Sequence, residues 1–197
     1  MLAENSSALT NRSKRRLSSA LEIRRDIMAI DNCPYAFEEL AEEILPAYFE
    51  ELQKSISAPH EMATFGQKGM GKTTILKRLN RSSDFPGCYV LLEESKPIYV
   101  GISRSIVQRL LQHVKGTYHY DASLAYRIAS QIVQHGNQRN VAMTDPDFKN
   151  EFEKAKNYIK SLKVAFIQIH NYLEIYMFEA YCAIKLDTAQ WNTFKTH

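Results

Sequence analysis

The chain has 197 residues, 45% of them hydrophobic and 24% charged, with a net charge of +3. This is the balance of an ordinary globular protein with room for one domain and a helical appendage. No stretch reaches the roughly 20 uncharged apolar residues of a membrane-crossing helix, and MLAENSSALTNRSKRRL at the start lacks the apolar run of a secretion signal. Cys33, Cys88 and Cys182 are odd in number and scattered, which suggests neither a disulfide framework nor a zinc site. A cytoplasmic protein with free thiols is the expectation. The charge is unevenly placed: Asn11 to Arg25 and Gly66 to Arg81 are basic, and an acidic stretch lies between them.

In chain order, apolar residues at helical spacing predict a helix from Ser13 to Ile30 and a second from Tyr35 to Ile56, whose stripe Leu40, Ile44, Tyr48, Leu52, Ile56 steps by four. Asp31-Asn32-Cys33-Pro34 reads as the break between them. Pro46 is placed to kink the second helix, and Glu38, Glu39, Glu42, Glu43, Glu50 and Glu51 read as its solvated face. Ser57 to Met70 reads as loop and Lys72 to Asn80 as a short helix. Gly87 to Glu93 and Pro97 to Ile102 are β-rich runs split by Glu94-Ser95-Lys96, the pattern of a tight hairpin. Helices are predicted over Ser105 to Val114, Ala122 to Gln134 and Pro146 to Leu162, the last behind a Thr144-Asp145-Pro146 start signal. A third strand over Val164 to Ile169 and a helix over about Leu173 to Leu186 complete the chain, with no internal repeat or low-complexity tract.

Two motifs compete for a functional reading. FGQKGMGKTT, Phe65 to Thr74, holds G-x-x-x-x-G-K-[ST], in which Gly66 and Gly71 would let backbone N–H groups curl around phosphates while Lys72 and Thr73 supply charge and a metal-binding hydroxyl. Its surroundings are poor for that task. APHEMATF upstream is no buried strand, and VAFIQIHN, the best later strand, ends in His170 and Asn171 rather than an aspartate for magnesium. Two other readings are a glycine-softened loop into a basic helix, and a basic surface of Lys68, Lys72, Lys77 and Arg78 for nucleic-acid phosphates. Nucleotide binding is the alternative, not the favoured reading.

The second motif is distributed. GCY at Gly87 to Tyr89 and YVG at Tyr99 to Gly101 are followed by Arg109 and His113 one turn apart, Glu179 inside FEAYCAIKL, and Asn192 in QWN. This ordered series, spanning 87–197, resembles the GIY-YIG nuclease family. Cys88 and Val100 stand where that name has isoleucines, and 116–162 is longer than in the family's minimal domains and reads as a helical insertion.

The resemblance implies an α+β fold, with a three-stranded antiparallel sheet flanked by helices. The expected organisation is an N-terminal helical arm (1–60), a basic glycine-containing connector (61–86) and a nuclease domain (87–197). It also implies magnesium-dependent (or manganese-dependent) DNA cleavage, with Glu179 as metal ligand, Arg109 as phosphate fork, Tyr89 as general base, Tyr99 and His113 as helpers, and Asn192 as an orienting group. Gly87 and Gly101 are structural in this reading, and Arg104 joins the lysines as a phosphate contact. Hydrolysis of a phosphodiester needs a deprotonated water, stabilised charge on phosphorus and assistance to the leaving oxygen, and this set supplies a residue type for each. Glu174 is an alternative acid, though it stands early for the family's glutamate. A compact restriction endonuclease is favoured within the class; double-strand cleavage then calls for a homodimer or two successive nicks. A non-catalytic nucleic-acid-binding module is the remaining rival.

Overall fold

The computed structural model describes residues 29–136 and 138–194. Two units divide the chain, 1–34 and 35–197. Of the first, the described part holds one 3-10 turn at Ile30–Asn32; the helix expected from Ser13 and the basic run Asn11 to Arg25 lie outside the described residues, save the helix's last two positions. The unit boundary at Pro34/Tyr35 puts residues 35–86 in the same unit as the 87–194 segment.

Residues 37–56 form one helix, α1: α-helical at Phe37–Glu39, π-helical across Leu40–Ile44, and α-helical again over Leu45–Ile56. Proline inside a helix removes a donor and crowds the preceding turn. Here the chain accommodates Pro46 by widening the turn before it, with the Leu45 N–H bonding the Leu40 carbonyl. The six glutamates of α1 are exposed, as their spacing predicts.

The sheet has four antiparallel strands in the order β1-β4-β2-β3, where β1 is His60–Glu61, β2 Gly87–Glu93, β3 Lys96–Ser103 and β4 Lys163–Gln168. The expectation of three strands is corrected to four. β1 has only two residues and pairs His60 with Val164 and Glu61 with Lys163, too short to carry an alternating pattern. The stretch read as loop also contains helix α2, Met62–Gly66, which buries Met62 and Phe65. Helix α3 follows at Lys72–Arg78.

β2 lies between β3 and β4 and is buried on both faces, which is why CYVLL reads as a continuous apolar run. β3 is an edge strand, where Pro97 is tolerated beside a register shift at Leu91/Leu92. Alternation sorts the side chains into two cores. Cys88, Val90, Leu92, Val100, Ala165 and Ile167 face α1 and helix α8 (Tyr172–Lys185). Tyr89, Leu91 and Val164 face the opposite layer. That layer contains α2, α3, α4 (Ile106–Lys115), α5 (Ser123–Ile132), α6 (Arg139–Ala142) and α7 (Pro146–Ser161). The segment 116–162 is integral to this second core: Phe148 and Phe152 of α7 are fully buried in it, each stabilising the fold by about 1.5–3 kcal/mol relative to exposure. Among the described residues no helix is long and apolar enough to cross a membrane.

Candidate active site

The register of β2 on β3 sets Tyr89 directly opposite Gly101. A Cβ at Gly101 would overlap the Tyr89 ring and hydroxyl, coming within 2.8 Å of its Cε1. Gly101 is therefore the recess into which the phenol lies. Gly87 has a different reason: a Cβ there would strike the backbone of Ile167 on β4.

The Tyr89 hydroxyl meets Nε2 of His113 at 2.7 Å, and both residues are fully buried. Tyr99 stands beside them, with ring centroids 6.1 Å from Tyr89 and 6.4 Å from His113. Arg109, one turn before His113 on α4, acts electrostatically on both Tyr89 and Tyr99. Its guanidinium is aimed by the insertion: Nη1 donates to the Asp121 carbonyl at 2.9 Å and Nη2 to Ser123 Oγ at 2.8 Å. α4 is held at its N-terminus by Asp84, whose carboxylate accepts from the backbone N–H groups of Phe85, Val107 and Gln108.

Burial governs the titrations. It raises the Tyr89 phenol well above its ordinary value, Tyr99 adds to the rise, and the Arg109 charge opposes it. It likewise raises Tyr99, against the pull of Arg109 and Arg127. It pushes His113 down to about 3, with help from the Arg109 charge, so the imidazole is neutral. Among the described residues its Nδ1 has no hydrogen-bond partner. Burial thus holds both members of the hydrogen-bonded pair in their neutral forms.

Glu179 arrives from α8, half-buried, and its carboxyl is raised by burial while the Arg127 charge opposes the rise. It also acts electrostatically on Tyr99. Four of the expected residues, Tyr89, Tyr99, Arg109 and His113, thus form one contiguous cluster, with Glu179 within electrostatic reach of Tyr99. Arg127 of α5 joins them and is absent from the sequence expectations. It lies in the insertion with no motif around it, and it is anchored through Nη1 to the Trp191 carbonyl. Asn192 takes another position: its Oδ1 accepts from the Val100 N–H at 2.9 Å and its Nδ2 donates to the Val100 carbonyl at 2.8 Å, pairing its side chain to the outer edge of β3. Glu174 is buried and accepts the Tyr48 hydroxyl at 2.6 Å, tying α8 to α1.

Among the described residues no group of three or more His, Cys, Asp and Glu side chains converges to cage a metal. The donor set is a single carboxylate, Glu179. Magnesium suits such a ligand, because it keeps several waters and completes its shell with phosphate oxygens. A half-buried carboxyl that a lone arginine leaves raised gains from an added cation.

The phosphate-loop pattern has different surroundings. Gly66 is the last residue of α2, the segment before it is helix, and β1 is antiparallel. Lys72 pairs with Asp84 at 3.1 Å. The carbonyls of Gln67 and Met70 accept Lys115 Nζ at 3.1 and 2.6 Å. Lys68, Lys77, Arg78 and Arg104 are exposed. Comparison of the chain with family models, curated proteins and solved structures finds no match.

Proposed function

We propose that the protein is a magnesium-dependent phosphodiester hydrolase acting on DNA, built on a GIY-YIG-like site. The observation that carries this reading is the Tyr89–His113 hydrogen bond, buried over Gly101 and flanked by Tyr99 and Arg109. A buried tyrosine hydroxyl needs a partner in any case; here that partner is an imidazole on the helix that also carries Arg109, and the ring lies over a glycine.

In this reading the Arg109 fork binds the scissile phosphate and stabilises its developing charge, a task suited to planar bidentate donors. Tyr89 is the base for the attacking water, its hydroxyl fixed by the hydrogen bond to His113 Nε2 at 2.7 Å and its deprotonated form favoured by the Arg109 charge. Tyr99 orients the phosphate from the neighbouring strand, and Arg127 offsets charge between Tyr99 and Glu179. Glu179 would hold the magnesium ion, which when bound supplies Lewis acidity at the phosphate oxygen. Asn192 fixes the β3 backbone beside Tyr99, which positions the tyrosine rather than touching substrate.

Incubating the purified protein with supercoiled, linear and single-stranded DNA, with magnesium or with chelator, tests the reading. Metal-dependent cutting that Glu179→Gln abolishes is the expected result. Cutting that persists in Glu179→Gln would overturn the site assignment, and no cutting of any DNA would overturn the hydrolase reading. The role of Lys68, Lys77 and Arg78 in phosphate contact predicts weaker DNA binding and a shallower salt dependence when they are replaced together.

A further inference from the structure

The face of α8 that carries Glu179 also carries two exposed tyrosines, Tyr172 and Tyr176. Tyr172, Tyr176 and Glu179 stand at i, i+4 and i+7, the spacing that aligns side chains along one side of a helix. Tyr176 is 61% exposed and Tyr172 43% exposed, whereas the residues between them that face the sheet, Glu174 and Ile175, are buried. Across a shallow cleft of about 90 Å³ from these rings lies the end of β3. There the exposed Arg104 sets its guanidinium 5.0 Å from the Tyr172 ring centroid. Among the described residues no carboxylate pairs with Arg104.

The charge at this end of the sheet is positive. Gly87 pairs with both Ser103 and Gln168, so Arg104 stands at the same end as Arg81, which hydrogen-bonds Gln168. Glu174, the acid nearest along α8, is committed to Tyr48. From Tyr172 to Glu179 the helix rises about 10 Å, the span of about three stacked nucleotides at 3.4 Å each.

We infer that Tyr172, Tyr176 and Arg104 form a stacking platform for an unpaired stretch of DNA strand that leads to Glu179. The inference rests on the hydrolase reading and sharpens its substrate class. A duplex offers no free base face to a ring lying on a helix surface, because each base is already stacked on its neighbours. An unpaired strand does, and it also brings phosphates for Arg104 and Arg81. The preferred substrate is DNA with an unpaired segment adjoining the bond that is cut, and fully paired DNA is the weaker ligand.

The test uses the full chain in chelator, so that binding is read without cleavage. The probes are a short fluorescent single-stranded oligonucleotide and the same sequence as a duplex. The intact protein binds the single strand more tightly than the duplex. Tyr172→Ala and Tyr176→Ala each weaken single-strand binding about tenfold, as expected for the loss of one stacked base, and leave duplex binding within about twofold. Tyr172→Phe and Tyr176→Phe retain the affinity, because stacking needs the ring and not the hydroxyl. Unchanged single-strand affinity in both alanine variants, or equal losses on both probes, overturns the platform. Magnesium-dependent cutting of paired DNA by such unaffected variants would leave the hydrolase reading intact. Tyrosine-dependent strand binding with no cutting of any DNA would do the reverse.

Discussion

Two regions of this protein, 66–73 and the Tyr89–Gly101–His113 cluster, present patterns associated with phosphate chemistry, and their surroundings separate them. In the first, every member of a contiguous motif is present, but the surroundings are occupied otherwise. Gly66 closes a helix, Lys72 neutralises the aspartate that caps α4, and two loop carbonyls receive Lys115. In the second, residues from two strands and one helix, dispersed over 25 positions from Tyr89 to His113, meet at one buried hydroxyl. A contiguous motif costs little to match by chance, because it constrains only the chain. Convergence constrains the fold as well: Tyr89 can reach His113 only because Gly101 is opposite and Asp84 holds the helix in place.

The comparison can be broken most decisively at Glu179. Glu179→Gln keeps the shape of the side chain and removes its charge, so DNA cutting falls by two orders of magnitude or more, as expected when one electrostatic group acting on the transition state is lost; a gel assay with supercoiled DNA reads this. Arg109→Lys keeps the charge but loses the fork and its bonds to Asp121 and Ser123. Cutting drops about a hundredfold while the melting temperature moves little, and a loss of stability in proportion to activity would show that Arg109 is structural.

Gly101→Ala comes next. The added methyl forces the Tyr89 ring out of its recess, at a cost of about 1–3 kcal/mol, which denaturant titration measures. The same substitution at Gly71, where a Cβ meets nothing within 4 Å, has little effect on packing.

His113 gives a pH-dependent prediction. The imidazole protonates near 6.5 in the unfolded chain and only near 3 in the folded protein. Between those values the unfolded state binds the extra proton, so stability falls as the pH falls, by about 1.4 kcal/mol per unit from this one group. His113→Gln is less stable at neutral pH but has a shallower decline from pH 6.5 towards 4. Parallel curves for the two proteins would show that the ring is not buried uncharged.

The smallest effect is at Lys72. Its ion pair with Asp84 is 42% exposed on the lysine side, so Lys72→Ala loses at most about 1 kcal/mol. ATP gives no thermal protection to either form. Protection of the intact protein that Lys72→Ala abolishes would restore the phosphate-loop reading and reverse the comparison.

Much of this arrangement was legible in the sequence because it rests on strong local patterns. β2, with its unbroken apolar run, and α7, with its Asp145 cap accepting from Asp147 and Phe148, lie where hydrophobic spacing and start signals put them. β1 and α2 were not legible, since two and five residues are too few to establish a period, and their stability comes from β4 and from the burial of Met62 and Phe65. Arg127 carries no local signal either. It reaches Tyr99 and Glu179 only because the insertion folds back across α4. An orienting amide at Asn192 bonded to nearby backbone fits the sequence reading, but which backbone it meets has no local signal, because Val100 lies 92 positions away.

That last contact also bears on how the molecule behaves in company. β3, Lys96–Ser103, is an edge strand, and an exposed edge invites another chain to add itself as a strand. The Asn192 amide occupies the free N–H and C=O of Val100 much as a neighbouring strand would. The described segment around Asn192 therefore acts as a stopper against edge-to-edge association. Removing it would leave the middle of β3 open to a second copy, with aggregation as the expected outcome.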